Sequence, residues 1–178
     1  MDARAIPLSR VKLVFLLLGG LVFAAAGAWM LSLEEAEIVE LRRLSNPTLF
    51  RGIAAVALAG GALCVYFAIR KMFDSRPGLV LSAEGILDNS SGVAAGLIPW
   101  ADITGFTVYE VHRTKMLIVM VRDNEKYLQR GNPVQRALHR ANTRMVGSPI
   151  AISSSTLKIG FDELCAEVEA WRARHGAP

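Results

Sequence analysis

The hydrophobic and polar positions of this chain follow two regimes. Leu13 to Leu33 and Gly52 to Ile69 are unbroken apolar runs of 21 and 18 residues, without a charged side chain and with charges on both flanks. From Gly78 onward the apolar runs shorten and turn residues separate them.

At a rise of about 1.5 Å per residue the first run makes a helix roughly 31 Å long, the thickness of a bilayer's hydrocarbon core. It predicts a membrane span, helped by a first half rich in Leu, Val and Phe. The second run is near the lower length limit and rich in Ala and Gly, so it is expected to insert as the partner of the first. Residues 1–76 thus read as a transmembrane helical hairpin and residues 77–178 as a separate domain. The competing reading of the first run is a cleavable signal peptide, with Arg4, Arg10 and Lys12 before it and Ala24 to Ala26 as small residues. Its length, its continuation to Trp29 and Leu33, and the second run favour the hairpin.

Orientation follows from Lys and Arg near the span ends. Arg4, Arg10 and Lys12 on one flank and Arg70, Lys71 and Arg76 on the other outnumber Arg42, Arg43 and Arg51 in the connection. Both termini are predicted to be cytoplasmic. The connection, with Glu34, Glu35, Glu37 and Glu40 beside Ile38 and Leu41, is expected to start a short helix that Asn46-Pro47 breaks. Its plain reading is a solvated link. Gly20, Ala24 and Ala28 in the first span and Ala57 and Gly61 in the second recur at four-residue spacing, which lets backbones approach in lipid. They are expected to pack the two spans together, with a homo-oligomer interface as the alternative. No Asp, Glu, Lys, Arg or His lies inside either span, which disfavours a transporter or channel.

Beyond Gly78 the alternation predicts strands at Leu79 to Leu81, Ile86 to Asp88, Val93 to Ile98, Thr104 to Val111, Met116 to Val121, Ser148 to Ser153 and Thr156 to Ile159. Ala83-Glu84-Gly85 predicts a turn in which the glycine takes positive φ. Pro99 should end its strand. Glu125 to Arg130 and Pro133 to Met145 read as helices, an insertion at about 123–145. A last helix, Asp162 to Arg174, carries Leu164, Val168 and Trp171 on one face. Seven short strands and a closing amphipathic helix are the layout of an α+β pleckstrin-homology-like (PH-like) β-barrel capped by its C-terminal helix.

Net charge is only +4, and from Pro77 onward eleven basic residues face ten acidic ones. This excludes the basic excess usual in a nucleic-acid-binding domain. Cys64 and Cys165 lie in different regions and suit unpaired thiols in a reducing compartment. Glu84 with Asp88, or Glu110 with Asp123, lack neighbours that would separate their pKa values for acid–base catalysis. His112, His139 and His175 lack metal-ligand spacing, and Ser153 to Ser155 lack a nucleophile-elbow context. The expectation is no catalytic residues, no cofactor and no metal. Trp100 is expected to cover a sheet edge and Asp102 to accept backbone N–H bonds at a tight turn.

Arg136, Arg140 and Arg144 recur every four residues, while Val134, Leu138, Ala141 and Met145 occupy another side. The plain expectation is an apolar face packed on the barrel with the arginines in water. The alternatives are contact with anionic headgroups or with a protein partner, to which Arg70 and Lys71 at the membrane edge could add.

The elements Pro77-Gly78-Leu79, Glu84-Gly85-Ile86, Asp88 to Gly92, Gly96 to Trp100 with Asp102-Ile103, Gly147 to Ile150 and Phe161 to Leu164 resemble a family of small, largely uncharacterised bacterial inner-membrane proteins. That resemblance implies two spans followed by a PH-like domain over nearly the whole chain, and supplies no activity. The functional expectation is a non-enzymatic, membrane-anchored interaction module that binds a protein or peptide partner. The alternative is sensing of an anionic lipid surface through Arg136, Arg140 and Arg144. Phosphoinositide binding by analogy with other PH domains is discounted, because fold does not carry function.

Overall fold

The computed structural model of the protein describes residues 3–34, 37–38, 46–111 and 114–176. Glu35, Glu40 and Leu41, on which the expected loop helix rests, and His112 lie outside them. The chain divides into two compact units. One runs from Arg10 to Ser75; the other joins the segment through Ser9 to everything from Arg76 onward.

The first unit is a pair of helices, α1 (Arg10–Ser32) and α2 (Pro47–Met72), each long and apolar enough to cross a membrane. Helix α2 starts before the apolar run because Asn46 caps it, its Oδ1 accepting from the N–H groups of Thr48 and Leu49 at 3.0 and 3.2 Å, with Pro47 in the first turn. Asn46-Pro47 therefore opens the second long apolar helix instead of breaking a loop helix. Arg70 and Lys71 in the last turn of α2 suit the negative end of its dipole. The helices meet through glycine. A Cβ on Gly27 would lie 2.8 Å from the Ala54 carbonyl oxygen, and one on Gly61 would collide with the Ala24 backbone. The expected packing role holds for Gly20, Ala24 and Gly61, but Gly27 takes the place expected for Ala28, which is exposed. A step of three or four residues along a helix keeps one face, and the closer approach selects the glycine.

The second unit contains two antiparallel sheets. The first has the order β1 (Ala3–Ile6), β2 (Leu79–Ser82), β3 (Gly85–Asp88), β4 (Gly96–Pro99); the second has β5 (Ile103–Val111), β6 (Thr114–Val121), β7 (Ile150–Ile152). Two helices, α3 (Asn124–Leu128) and α4 (Pro133–Val146), lie between β6 and β7, and α5 (Phe161–His175) ends the described chain. Gly85 turns the β2–β3 hairpin at φ 153°, and any side chain there would strike the Ile98 carbonyl. Helix α5 packs on β2 of one sheet and β6 of the other. Its Leu164, Val168 and Trp171 are buried with Ile6, Leu81, Ile86, Ile98, Leu117, Val119 and Ile152 in one core.

The number of strands matches the expectation, but their identity does not. Ala3–Ile6, read from sequence as the basic flank of a span, is the edge strand of the first sheet, with Ile6 2% exposed. The boundary at residue 76 therefore misplaces the first nine residues. Thr156 to Ile159 forms no strand: a 3-10 turn (Ser154–Thr156) precedes a single bridge from Leu157 to Leu8. The predicted strand Val93 to Ile98 forms only from Gly96, because the Asp88 carboxylate accepts from the Ala95 N–H at 3.1 Å and holds the preceding residues in a turn.

Candidate functional site

Two polar arrangements stand out in the second unit. The first surrounds the 3-10 turn Trp100–Asp102 that follows β4. Trp100 is buried and its indole N–H donates to the Ser82 carbonyl at 2.8 Å, fixing it across the first sheet as expected of a structural tryptophan. Asp102 departs from expectation. Its carboxylate accepts from Lys126 Nζ at 2.6 Å and from the Tyr127 hydroxyl at 2.7 Å, both supplied by α3. The reason is local: the turn directs the carboxylate at α3, and Asp123 takes the backbone-capping role there through the N–H groups of Glu125 and Lys126.

Hydrogen bonds from Lys126 and then Tyr127 hold the Asp102 carboxyl below the usual carboxylate range. Burial, followed by the hydrogen bond to the Asp102 carboxylate, pushes the Tyr127 phenol well above its ordinary value. The Arg130 guanidinium lies 4.3 Å from the Tyr127 ring and donates to the Ala95 and Leu97 carbonyls at 2.9 and 2.8 Å. These groups satisfy one another, so the cluster is a clamp that binds α3 to the end of the first sheet.

The second arrangement is α4. Asn132 and Gln135 form a capping box, with both bonds at 2.9 Å. Gly147, at φ 80°, ends the helix in the left-handed conformation. The packed side of α4 is polar. His139 is 1% exposed with its Nδ1 3.0 Å from the Pro149 carbonyl, Gln135 Nε2 donates to the Gly92 carbonyl at 2.9 Å, and the Thr143 hydroxyl donates to the His139 carbonyl at 2.9 Å.

The apolar stripe therefore lies on the opposite side from the expected one. Val134 is 60%, Leu138 42% and Met145 67% exposed, and Ala141 between them is exposed as well. Arg140 and Arg144 are exposed, Arg144 next to this stripe and Arg140 further round the helix. Arg136 does not join them: it is half-buried, with its Nε enclosed and lacking a hydrogen-bond partner among the described residues. At 100° per residue three arginines spaced by four drift around the helix, so the first turns toward the packed side. Of the other basic residues singled out, Arg70 is exposed on α2 and Lys71 pairs with Asp74 at 3.5 Å, both in the helical unit. The signal that identifies the packed side is Gln135, His139 and Thr143, a polar series at four-residue spacing, each with a nearby carbonyl to satisfy.

The free sheet edges bear on binding as well. Arg130 covers the outer edge of β4 through the carbonyls named above, and Arg172 Nη2 donates to the Thr104 carbonyl at the start of β5 at 2.9 Å. Further along β5, an edge strand of its sheet, Val108 and Val111 are 51% and 40% exposed. No family model, curated protein or solved structure matches the chain.

Proposed function

We propose that the protein is a non-enzymatic interaction module: a PH-like domain held against the cytoplasmic face of a bacterial inner membrane by a two-span anchor, where it binds a protein or peptide partner. The observation that carries this reading is the pairing of β1 with β2, which flank the spans in sequence. Because Ile6 and Leu79 are the partners at the span-proximal ends of these strands, the chain leaves the domain for both spans from one end of one sheet. Strands that pair must lie on one side of the membrane, so the chain between them crosses it an even number of times. That geometry supports an anchor which fixes the domain at two points and holds it within a short reach of the lipid surface.

The layout supports the PH-like assignment: four strands, then three, then a helix packed on both sheets, with the spans inserted between the first strand and the second. The edge of β5 beyond Thr104 is the stretch best suited to an extended partner segment, with Val108 and Val111 on a strand that has no second strand neighbour among the described residues. In-cell photocrosslinking from position 108, with position 163 as the control, tests the reading. A discrete crosslinked protein from 108 alone is the expected result. Identical background at both positions would remove the β5 edge as a partner site.

A further inference from the structure

We infer that the outward face of α4 docks on an anionic lipid bilayer, in the membrane that the spans themselves enter, and thereby sets the orientation of the domain. The inference requires the spans to cross a membrane but is independent of any protein partner at β5.

Three observations converge on this surface. The first is the inverted packing of α4. A helix of a water-soluble domain usually buries its apolar stripe, and leaving one in water forfeits roughly 25 cal/mol for each Å² that could have been covered. Here the buried side is the polar one, with Gln135 and His139 partnered to the Gly92 and Pro149 carbonyls of other segments, and Val134, Leu138, Ala141 and Met145 face outward.

The second is charge. Arg144 borders the stripe, Arg140 is exposed one turn before it and further round the helix, and Pro133–Val146 contains no acidic residue. Apolar residues beside a basic flank are the pattern of a helix lying in the headgroup region of an anionic membrane. A protein groove that accepted the same face would have to supply both an apolar floor and an acidic wall, whereas an anionic bilayer offers both everywhere.

The third is position. Ser9, the last residue before α1, donates its N–H to the Thr156 carbonyl at 2.8 Å, and the Thr156 hydroxyl donates to the Ser90 carbonyl at 2.6 Å. The neighbouring Asn89 donates its N–H to the Gly78 carbonyl at 2.8 Å and its side-chain amide to the Pro77 carbonyl at 3.3 Å. Two residues after Ser90, the Gly92 carbonyl accepts from Gln135 in the first turn of α4. The amino-terminal end of α4 thus sits at the end of the domain from which both chain segments leave for the spans. Docking is intramolecular, so a patch of four apolar residues and two arginines, too small to recruit a free protein, suffices to orient a tethered one.

The test uses the full chain in nanodiscs, with Cys64→Ala and Cys165→Ala as background and a nitroxide on Leu138→Cys. The readout is collision with a water-soluble nickel chelate against collision with oxygen. In discs containing phosphatidylglycerol the label at 138 should be shielded from nickel and accessible to oxygen, while a label on Glu163→Cys stays in water. Pure phosphatidylcholine discs should leave both labels in water. Replacing Arg140 and Arg144 by Gln should lower the docked-to-free ratio by roughly 30-fold, equivalent to about 2 kcal/mol. Equal exposure of position 138 in both lipids overturns the inference. So does shielding that ignores lipid charge and the arginine substitutions. Shielding that grows with the number of copies per disc would assign the face to a second copy, and shielding found only in native membranes would assign it to a protein; either result also overturns it.

Discussion

Ile6 and Leu79 are cross-strand partners, although both spans lie between them in the chain. Their pairing makes the amino-terminal segment part of the core of the β-rich unit, and it sets a definite expectation for fragments. Residues 77–178 alone lack β1, expose the edge of β2 and lose Ile6 from the core. That fragment should aggregate or melt well below the full chain, as judged by size-exclusion chromatography and circular dichroism. In the full chain, Ile6→Ala should cost about 2–5 kcal/mol.

The same pairing predicts a crosslink. Ala5 and Val80 stand opposite each other, at the spacing a disulfide needs. Ala5→Cys with Val80→Cys, in a background without the native cysteines, should hold the chain together after cleavage at a protease site placed between the spans. Two separate bands on a non-reducing gel would contradict the register.

Neighbouring residues of α4 should respond in opposite ways. His139→Ala leaves the Pro149 carbonyl buried without its partner and should cost about 1–3 kcal/mol. Leu138→Ala removes an exposed side chain and should change stability by no more than about 0.5 kcal/mol. Thermal unfolding of the two variants in detergent separates this arrangement from an apolar face packed on the sheets, which predicts the reverse ranking.

The Asp102 clamp gives the domain a pH dependence. The native carboxyl titrates below its unfolded value of about 3.9, so around that pH the unfolded chain binds more protons. The clamp's contribution is complete above the unfolded value and is lost as pH falls through the native one. Tyr127 has the opposite sign: its contribution is complete below the unfolded value of about 10 and declines above it. Asp102→Asn should cost about 1–3 kcal/mol at pH 7 and flatten the acid limb of a stability profile. An unchanged acid limb would show that Asp102 does not carry it.

Much of this architecture is legible in the sequence because long signals are hard to mistake. The two apolar runs locate α1 and α2, and Leu164, Val168 and Trp171 locate the buried face of α5. Short elements decided by distant partners are not legible. Ala3–Ile6 becomes a strand only because β2 lies beside it, and Thr156 to Ile159 is limited to one bridge because Pro7 to Ser9 arrive there from before the first span. At α4 the pattern locates the helix but points its apolar stripe the wrong way. Periodicity shows that a helix has two faces, and only the tertiary partners of Gln135 and His139 determine which one is buried.

The close contact of Gly27 with Ala54 and of Gly61 with Ala24 bears on how the β-rich unit is made. During synthesis β1 emerges first and must wait for both spans before β2 exists. In a free chain the closure would carry the entropy cost of a long loop, which rises with the logarithm of its length. Once α1 and α2 have packed through their glycines, the two ends of the helix pair that lead to Ile6 and Leu79 are already together, and the most distant pairing in the domain becomes a local one. The helix pair then serves as the folding template of the unit whose two strands it joins.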